Sequence, residues 1–330
     1  MRASEPGWPA RLHVVTGKGG TGKTTVAAAL ALALAANGRR TLLVEVEGRQ
    51  GIAQLFGTAP LPYAERQVAT APGGGEVRAL AVDPEEALLE YLDMFYKLGM
   101  AGRALKKFGA IDFATTIAPG MRDVLLTGKV KEATTRTDGG RRVYDAVILD
   151  APPTGRIGRF LNVTAETARL AKMGPIKTQS EGVAAILRSP MTSVHVVTLL
   201  EEMPVQETAD AITELTALDI SVGKIIVNGV QPPLLTSGKL TQAELRRGLV
   251  AAGLPADRDT VSGLHAEARA YLTRYDIEQA LRGELVALGP PLVELPYLPG
   301  GVARAELDEL AVALGRAGSG RAGVPPDTLG

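Results

Sequence analysis

The chain has 330 residues, with 36 lysines and arginines balanced by 36 aspartates and glutamates, and it contains no cysteine. That length suffices for one large α/β domain or two small ones, and the balanced charge provides no global field favouring nucleic acid or anionic membrane. The lack of cysteine excludes disulfides, thiolate nucleophiles and cysteine-based zinc or iron–sulfur centres.

Met1 to Ala10 is polar and broken by proline. It lacks the apolar core of an export signal, so the expected compartment is cytoplasmic. Leu12–Thr16 predicts a short buried strand, and Thr24–Asn37 a helix closed by Asn37-Gly38. The apolar run from Ala27 to Ala36 is too short to span a bilayer and predicts a helix buried against a sheet. Further strands are predicted at Arg40–Val46, Val77–Val82, Val143–Leu149 running into Asp150, Ser193–Leu199, Val222–Val227 and Leu292–Leu295. Helices are predicted at Pro84–Met94, Pro204–Leu218, Ala256–Ala280 and Val302–Leu314, and Pro72–Gly75 reads as a turn. This alternation of strand and helix specifies an α/β fold, a doubly wound and mostly parallel sheet covered on both faces.

Two stretches exceed a single crossover helix. Residues 85–131 predict a helical excursion made of Ala87–Leu98, Ala101–Phe108 and Met121–Lys131, and residues 159–189 a second, shorter one. Met94, Phe95, Leu98, Met100 and Met121 either pack against the sheet or line a groove for a partner helix. Arg103, Lys106 and Lys107 form a basic cluster on one helix. Residues 1–316 are therefore expected to form one domain with these insertions. The Gly-, Ala- and Pro-rich residues 317–330 are expected to be a disordered tail.

The most informative segment is Gly17-Lys18-Gly19-Gly20-Thr21-Gly22-Lys23-Thr24-Thr25, which satisfies the phosphate-loop pattern G-x-x-x-x-G-K-[ST]. Its glycines let the backbone curl until several N–H groups point at an anion. Lys23 supplies a charge for the outer phosphates, and the Thr24 hydroxyl is placed for Mg²⁺. The following helix turns its positive end toward the same point. Lys18 is a second lysine that an ordinary phosphate loop does not need, placed to reach a nucleotide on a neighbouring subunit. Asp150 ends an apolar strand as a Walker B acid does, and Ala151-Pro152-Pro153-Thr154-Gly155 suits a phosphate-sensing turn. Glu45 and Glu47 share one side of their strand by alternation. Either faces the nucleotide, or both contact Arg49. His13, His195 and His265 have no metal-ligand company and read as structural.

The loop with Lys18 resembles the deviant phosphate loop of MinD, ParA, the nitrogenase iron protein and the ArsA-type ATPases. Other strings narrow the resemblance to the ArsA-type family, which includes arsenite-pump ATPases, the ATPases that target tail-anchored membrane proteins, and bacterial relatives. Asp150 to Gly155 resembles the family's D-x-A-P-T-G switch II, and Arg156–Leu161 continues the match. Ala118-Pro119-Gly120-Met121 resembles its P-G helix start, and Leu199–Glu202 with Glu207-Thr208 its strand-to-helix segment. Ile225-Ile226-Val227-Asn228 resembles the adenine-binding asparagine segment, and Leu295–Pro299 the loop closing over the base. The string Val44 to Phe56 is similar to actinobacterial ArsA-like ATPases.

The resemblance implies a P-loop NTPase fold of the SIMIBI type and Mg²⁺-dependent ATP hydrolysis at a dimer interface. The backbone of Gly17 and of Gly19, Gly20, Thr21, Gly22, Lys23, Thr24 and Thr25 would hold the phosphates. Lys18 would reach the partner's nucleotide, Thr24 would ligate Mg²⁺, and Asp150 would stand in its outer shell. Glu47 would orient the attacking water, where the family usually has an aspartate. Glu201 would contact nucleotide or Lys18, Asn228 would read adenine, and Pro296, Leu298 and Pro299 would close over the base. Expected partners are a second copy or a sister ATPase, with a membrane-protein or apolar-helix client, and neither nucleic acid nor zinc. Two alternatives are a weakly hydrolysing, ATP-dependent binding subunit of a mixed dimer and a ParA/MinD-like positioning ATPase.

Overall fold

The computed structural model describes residues 7–96, 119–163, 175–235 and 240–318. Eight strands form one sheet in the order β10-β9-β8-β1-β7-β2-β4-β3. They are β1 (Leu12–Gly17), β2 (Arg40–Glu45), β3 (Arg66–Ala71), β4 (Gly75–Ala81), β7 (Ala146–Asp150), β8 (Thr192–Thr198), β9 (Val222–Val230) and β10 (Leu292–Pro296). All neighbouring pairs are parallel except β3 with β4. The α/β, doubly wound expectation holds.

The helices are α1 (Lys23–Ala35), α2 (Gly51–Leu55), α3 (Pro84–Tyr96), α4 (Pro119–Thr135), α5 (Thr154–Leu161), α6 (Pro175–Leu187), α7 (Glu202–Ala217), α8 (Gln242–Ala251), α9 (Arg258–Ala287) and α10 (Arg304–Gly318). α1 is built from alanine and leucine, strong helix formers. It is apolar all round because it lies between the sheet and α10, and every residue from Val26 to Ala35 is buried. α10 meets it with Leu307, Leu310, Ala311 and Leu314, a helical stripe. The opposite face of the sheet is covered by α4, α5 and α6, through Leu125, Val130, Ile157, Phe160, Val183 and Leu187.

Several boundaries differ from expectation. β3 was not anticipated. It forms an antiparallel edge hairpin with β4 across the Pro72–Gly74 turn, and its mixed burial hides the strand period. A second small hairpin joins β5 (Thr137–Asp138) to β6 (Arg141–Arg142). α8 is a further element beyond the expected ones, and Thr241 and Glu244 form a capping box at its start. α9 runs for 30 residues, longer than predicted. The predicted helix Ala101–Phe108, with its basic cluster, and residues 319–330 lie outside the described residues. So do the side chains of Met94, Phe95 and Met121, together with Leu98 and Met100. α10 takes in Ala317 and Gly318.

Parallel pairing aligns the carboxyl ends of four adjacent strands. Val15 and Glu45 both stand in register with Asp150, and Gly17 with Val197. The phosphate loop, Asp150 and Glu45 thus emerge at one edge of the sheet, where open α/β sheets place their ligands.

Candidate functional site

At Gly17 and Gly22 the loop between β1 and α1 leaves no room for a side chain. Gly17 has φ +152°, and a Cβ there would lie 2.1 Å from the Val197 carbonyl oxygen. Gly22, the N-cap of α1, has φ +88°, and a Cβ would lie 2.4 Å from Asn228 Nδ2. Between them the loop closes on the Lys18 carbonyl. That oxygen accepts from Thr21 N–H at 3.3 Å, Thr21 Oγ1 at 2.9 Å and Lys23 Nζ at 3.2 Å. Burial lowers the Lys23 pKa, and Asp150 and Glu47 oppose the shift. Gly19 and Gly20 are exposed at the crest, and Thr25 is half-buried.

Thr24 Oγ1 donates to Asp150 Oδ2 at 2.7 Å, joining the first helix to the end of β7 across 126 residues. Burial pushes the Asp150 carboxyl up to about 6, against the hydrogen bond from Thr24 and the charge of Lys23. Glu45, the last residue of β2, and Glu47 beyond it separate. Because β2 ends at Glu45, alternation does not carry both carboxylates to one side. Glu45 is 2% exposed and accepts from Gly51 N–H and Ile52 N–H, both at 3.4 Å, at the start of α2. Glu47 pairs with Arg156 at 2.5 Å and with Arg49 at 3.7 Å. Pro152 is anchored from β1, where Thr16 Oγ1 donates to its carbonyl at 2.7 Å.

Glu207, which was not among the expected site residues, links two of the site's parts. Its carboxylate pairs with Lys18 Nζ at 3.1 Å and accepts from Thr154 Oγ1 at 2.7 Å. The Thr154 hydrogen bond, and then Lys18, hold its pKa below the usual glutamate range. The only sequence signal was its place in the Glu207-Thr208 string. Which helix face meets the loop is set by the packing of α7.

Asn228 Nδ2 donates to the Thr21 carbonyl at 2.9 Å, so β9 grips the loop from the side. Glu201 is the N-cap of α7. It shares a cleft of about 420 Å³ with Asn228, Gln231, Arg274 and Glu278. Pro296, Leu298 and Pro299 stand one strand further out and do not line that cleft. The Tyr297 N–H bonds the Val230 carbonyl at 2.9 Å, and Leu298 packs half-buried on the core.

The sequence has known relatives. The anion-transporting ATPase family matches residues 10–179 and 163–244. ATPase BagA of Mycobacterium tuberculosis is 53% identical over 96% of this chain and 97% of its own length. The chain belongs to the anion-transporting ATPase (ArsA) family. More distant members are the arsenical pump-driving ATPase of Escherichia coli, 26% identical over 73% of this chain and 43% of its own. ATPase GET3 of Kluyveromyces lactis is 27% identical over 65% of this chain and 70% of its own.

In this ArsA-family chain the residues at the site fit a magnesium ion bound together with a nucleotide. Such an ion takes few protein ligands, mostly oxygens, and completes its shell with phosphate and water. A hydroxyl and a buried carboxylate in contact at a helix N-terminus supply that donor set, and the Asp150 charge lacks full compensation by protein alone. Among the described residues no cluster of three or more histidine, aspartate and glutamate side chains is placed to hold a metal by itself. No described helix is long and apolar enough to cross a membrane.

Proposed function

We propose that this chain hydrolyses ATP with Mg²⁺ at the interface between two subunits and couples the reaction to a change in how they meet. The contact between Thr24 and Asp150 at the mouth of the phosphate loop carries the reading. Backbone N–H groups from Gly17 to Thr25 cradle the phosphates, and Lys23 leaves the Lys18 carbonyl to pair with the β and γ oxygens. Thr24 holds the ion and Asp150 orients its outer shell. Bound magnesium neutralises charge that develops on the phosphate oxygens. Asn228, already against the loop, reads the adenine edge with Glu201 nearby, and Pro296, Leu298 and Pro299 close over the base. Lys18 exchanges Glu207 for the partner's nucleotide, and Thr154, freed from the same carboxylate, senses the γ-phosphate. Glu47 orients the attacking water once Arg156 releases it. The partner is a second copy or a sister ATPase, acting on a membrane-protein or apolar-helix client.

The second reading is a subunit that binds ATP and hydrolyses it poorly. The ion pair of Glu47 with Arg156 favours it, since the water-orienting carboxylate is occupied. Single-turnover hydrolysis with Lys23→Ala as the blank separates the two. Turnover abolished by the substitution supports the ATPase. ATP retention with release of phosphate no faster than in Lys23→Ala supports the binding subunit.

A further inference from the structure

A second cleft, of about 530 Å³, opens on the switch side of the sheet between the loop after β2, α4 and α5. Arg49, Arg122, Arg156 and Arg159 line it, with Glu47 and Asp123 as its acidic members. Among the described residues that line it, four guanidinium groups accompany two carboxylates. The imbalance is sharpest around Glu47, where Arg156 at 2.5 Å and Arg49 at 3.7 Å share one carboxylate. Those two arginine side chains remain 64% and 74% exposed, so their forks keep unused donors. Arg122 and Arg159 are also exposed, on the two helices that wall the cleft. Like charges gathered in a concave site raise the local concentration of counter-ions, and the volume suits a small organic molecule. None of the phosphate-loop residues lines it.

We propose that this cleft binds a small multivalent anion, a polycarboxylate or a phosphorylated metabolite, through guanidinium forks from three elements. Planar forks match carboxylate and phosphate two bonds at a time, and a ligand with several anionic groups meets several forks at once. Glu47 and the ligand compete for Arg49 and Arg156. Anion binding and the position of Glu47 are therefore reciprocally linked. The consequence for hydrolysis rests on the ATPase reading above, whereas the binding itself does not.

Titration calorimetry on the full, nucleotide-free chain tests this. The Lys23→Ala background removes the phosphate loop as a competing anion site. Citrate and fructose 1,6-bisphosphate are titrated separately at fixed ionic strength, with potassium chloride as the control. Saturable binding of citrate alone, of the bisphosphate alone, or of both identifies the class. Arg122→Gln and Arg159→Gln, both at exposed positions, should each weaken binding about tenfold. Glu47→Gln, which removes the competing carboxylate, should strengthen it several-fold. Heats no larger than those of chloride overturn the proposal, as does binding that survives both arginine substitutions or is unchanged by Glu47→Gln. A wild-type chain that binds the anion without hydrolysing ATP removes the ATPase reading and leaves the site. Hydrolysis without anion binding does the reverse.

Discussion

Asp150 sets stability against use. Burial raises its carboxyl to about 6, so at neutral pH the folded chain holds a charge that its surroundings disfavour. Relative to an ordinary aspartate the shift corresponds to roughly 3 kcal/mol. Asp150→Asn should therefore raise the melting temperature of the nucleotide-free chain at pH 8 in calorimetry, while abolishing Mg²⁺-dependent retention of ATP. An unchanged or lower melting temperature would contradict that account. That Lys23, Thr24 and Asp150 come together in the candidate site was legible in the sequence, because a local motif and a strand end place them. Glu207 was not, and neither was the pairing of Arg156 with Glu47 across 109 residues. Both depend on how separate elements dock.

At the scale of elements, α1 and α10 form a buried pair beside the sheet. Leu307, Leu310 and Leu314 are each at most 1% exposed. Leu310→Ala should cost about 2–5 kcal/mol, through lost transfer energy and the cavity left behind. Urea titration reads this as a lower midpoint. Val250 on α8 is 65% exposed, and none of the residues of that helix is buried. Val250→Ala should shift stability by under about 0.5 kcal/mol. The buried helices were legible from composition, since ten consecutive apolar residues leave α1 no polar face. The hairpin strand β3 was not, because an edge strand half in water loses its period. α9 extends past its predicted end at Ala280 because Leu281 and Leu285 dock it on β9.

Across the whole molecule, the two strand histidines lie inside the sheet's core. His13 Nδ1 and His195 Nε2 share a hydrogen bond of 3.0 Å, so one donates and the other accepts. Trp8 packs edge-on against both rings and donates from Nε1 to the Leu314 carbonyl at 3.1 Å, tying the N-terminal segment to α10. Burial lowers the His13 pKa to about 4 and depresses that of His195 as well, with the neighbouring His13 and Lys224 adding to it. Between pH 6.5 and about 4 the unfolded chain therefore binds more protons than the folded one. The stabilisation from the neutral pair is complete above the unfolded value and is lost as pH falls toward about 4. His13 alone accounts for roughly 3 kcal/mol of that loss. Melting temperature should fall over this window, and His13→Gln should flatten the fall whatever its effect at pH 8. An identical slope in the variant would remove the pair as the cause.

The sequence by itself determined the fold class and the phosphate-loop motif at the centre of the candidate site. Both depend on short-range information: apolar periodicity, glycines where φ is positive, and a motif that curls the backbone around an anion. Only the tertiary structure decided which carboxylate holds Lys18, what occupies Glu47 and where four arginines converge. Those contacts join residues far apart in the chain, and their distances are set by helix packing on the sheet, which no local pattern records.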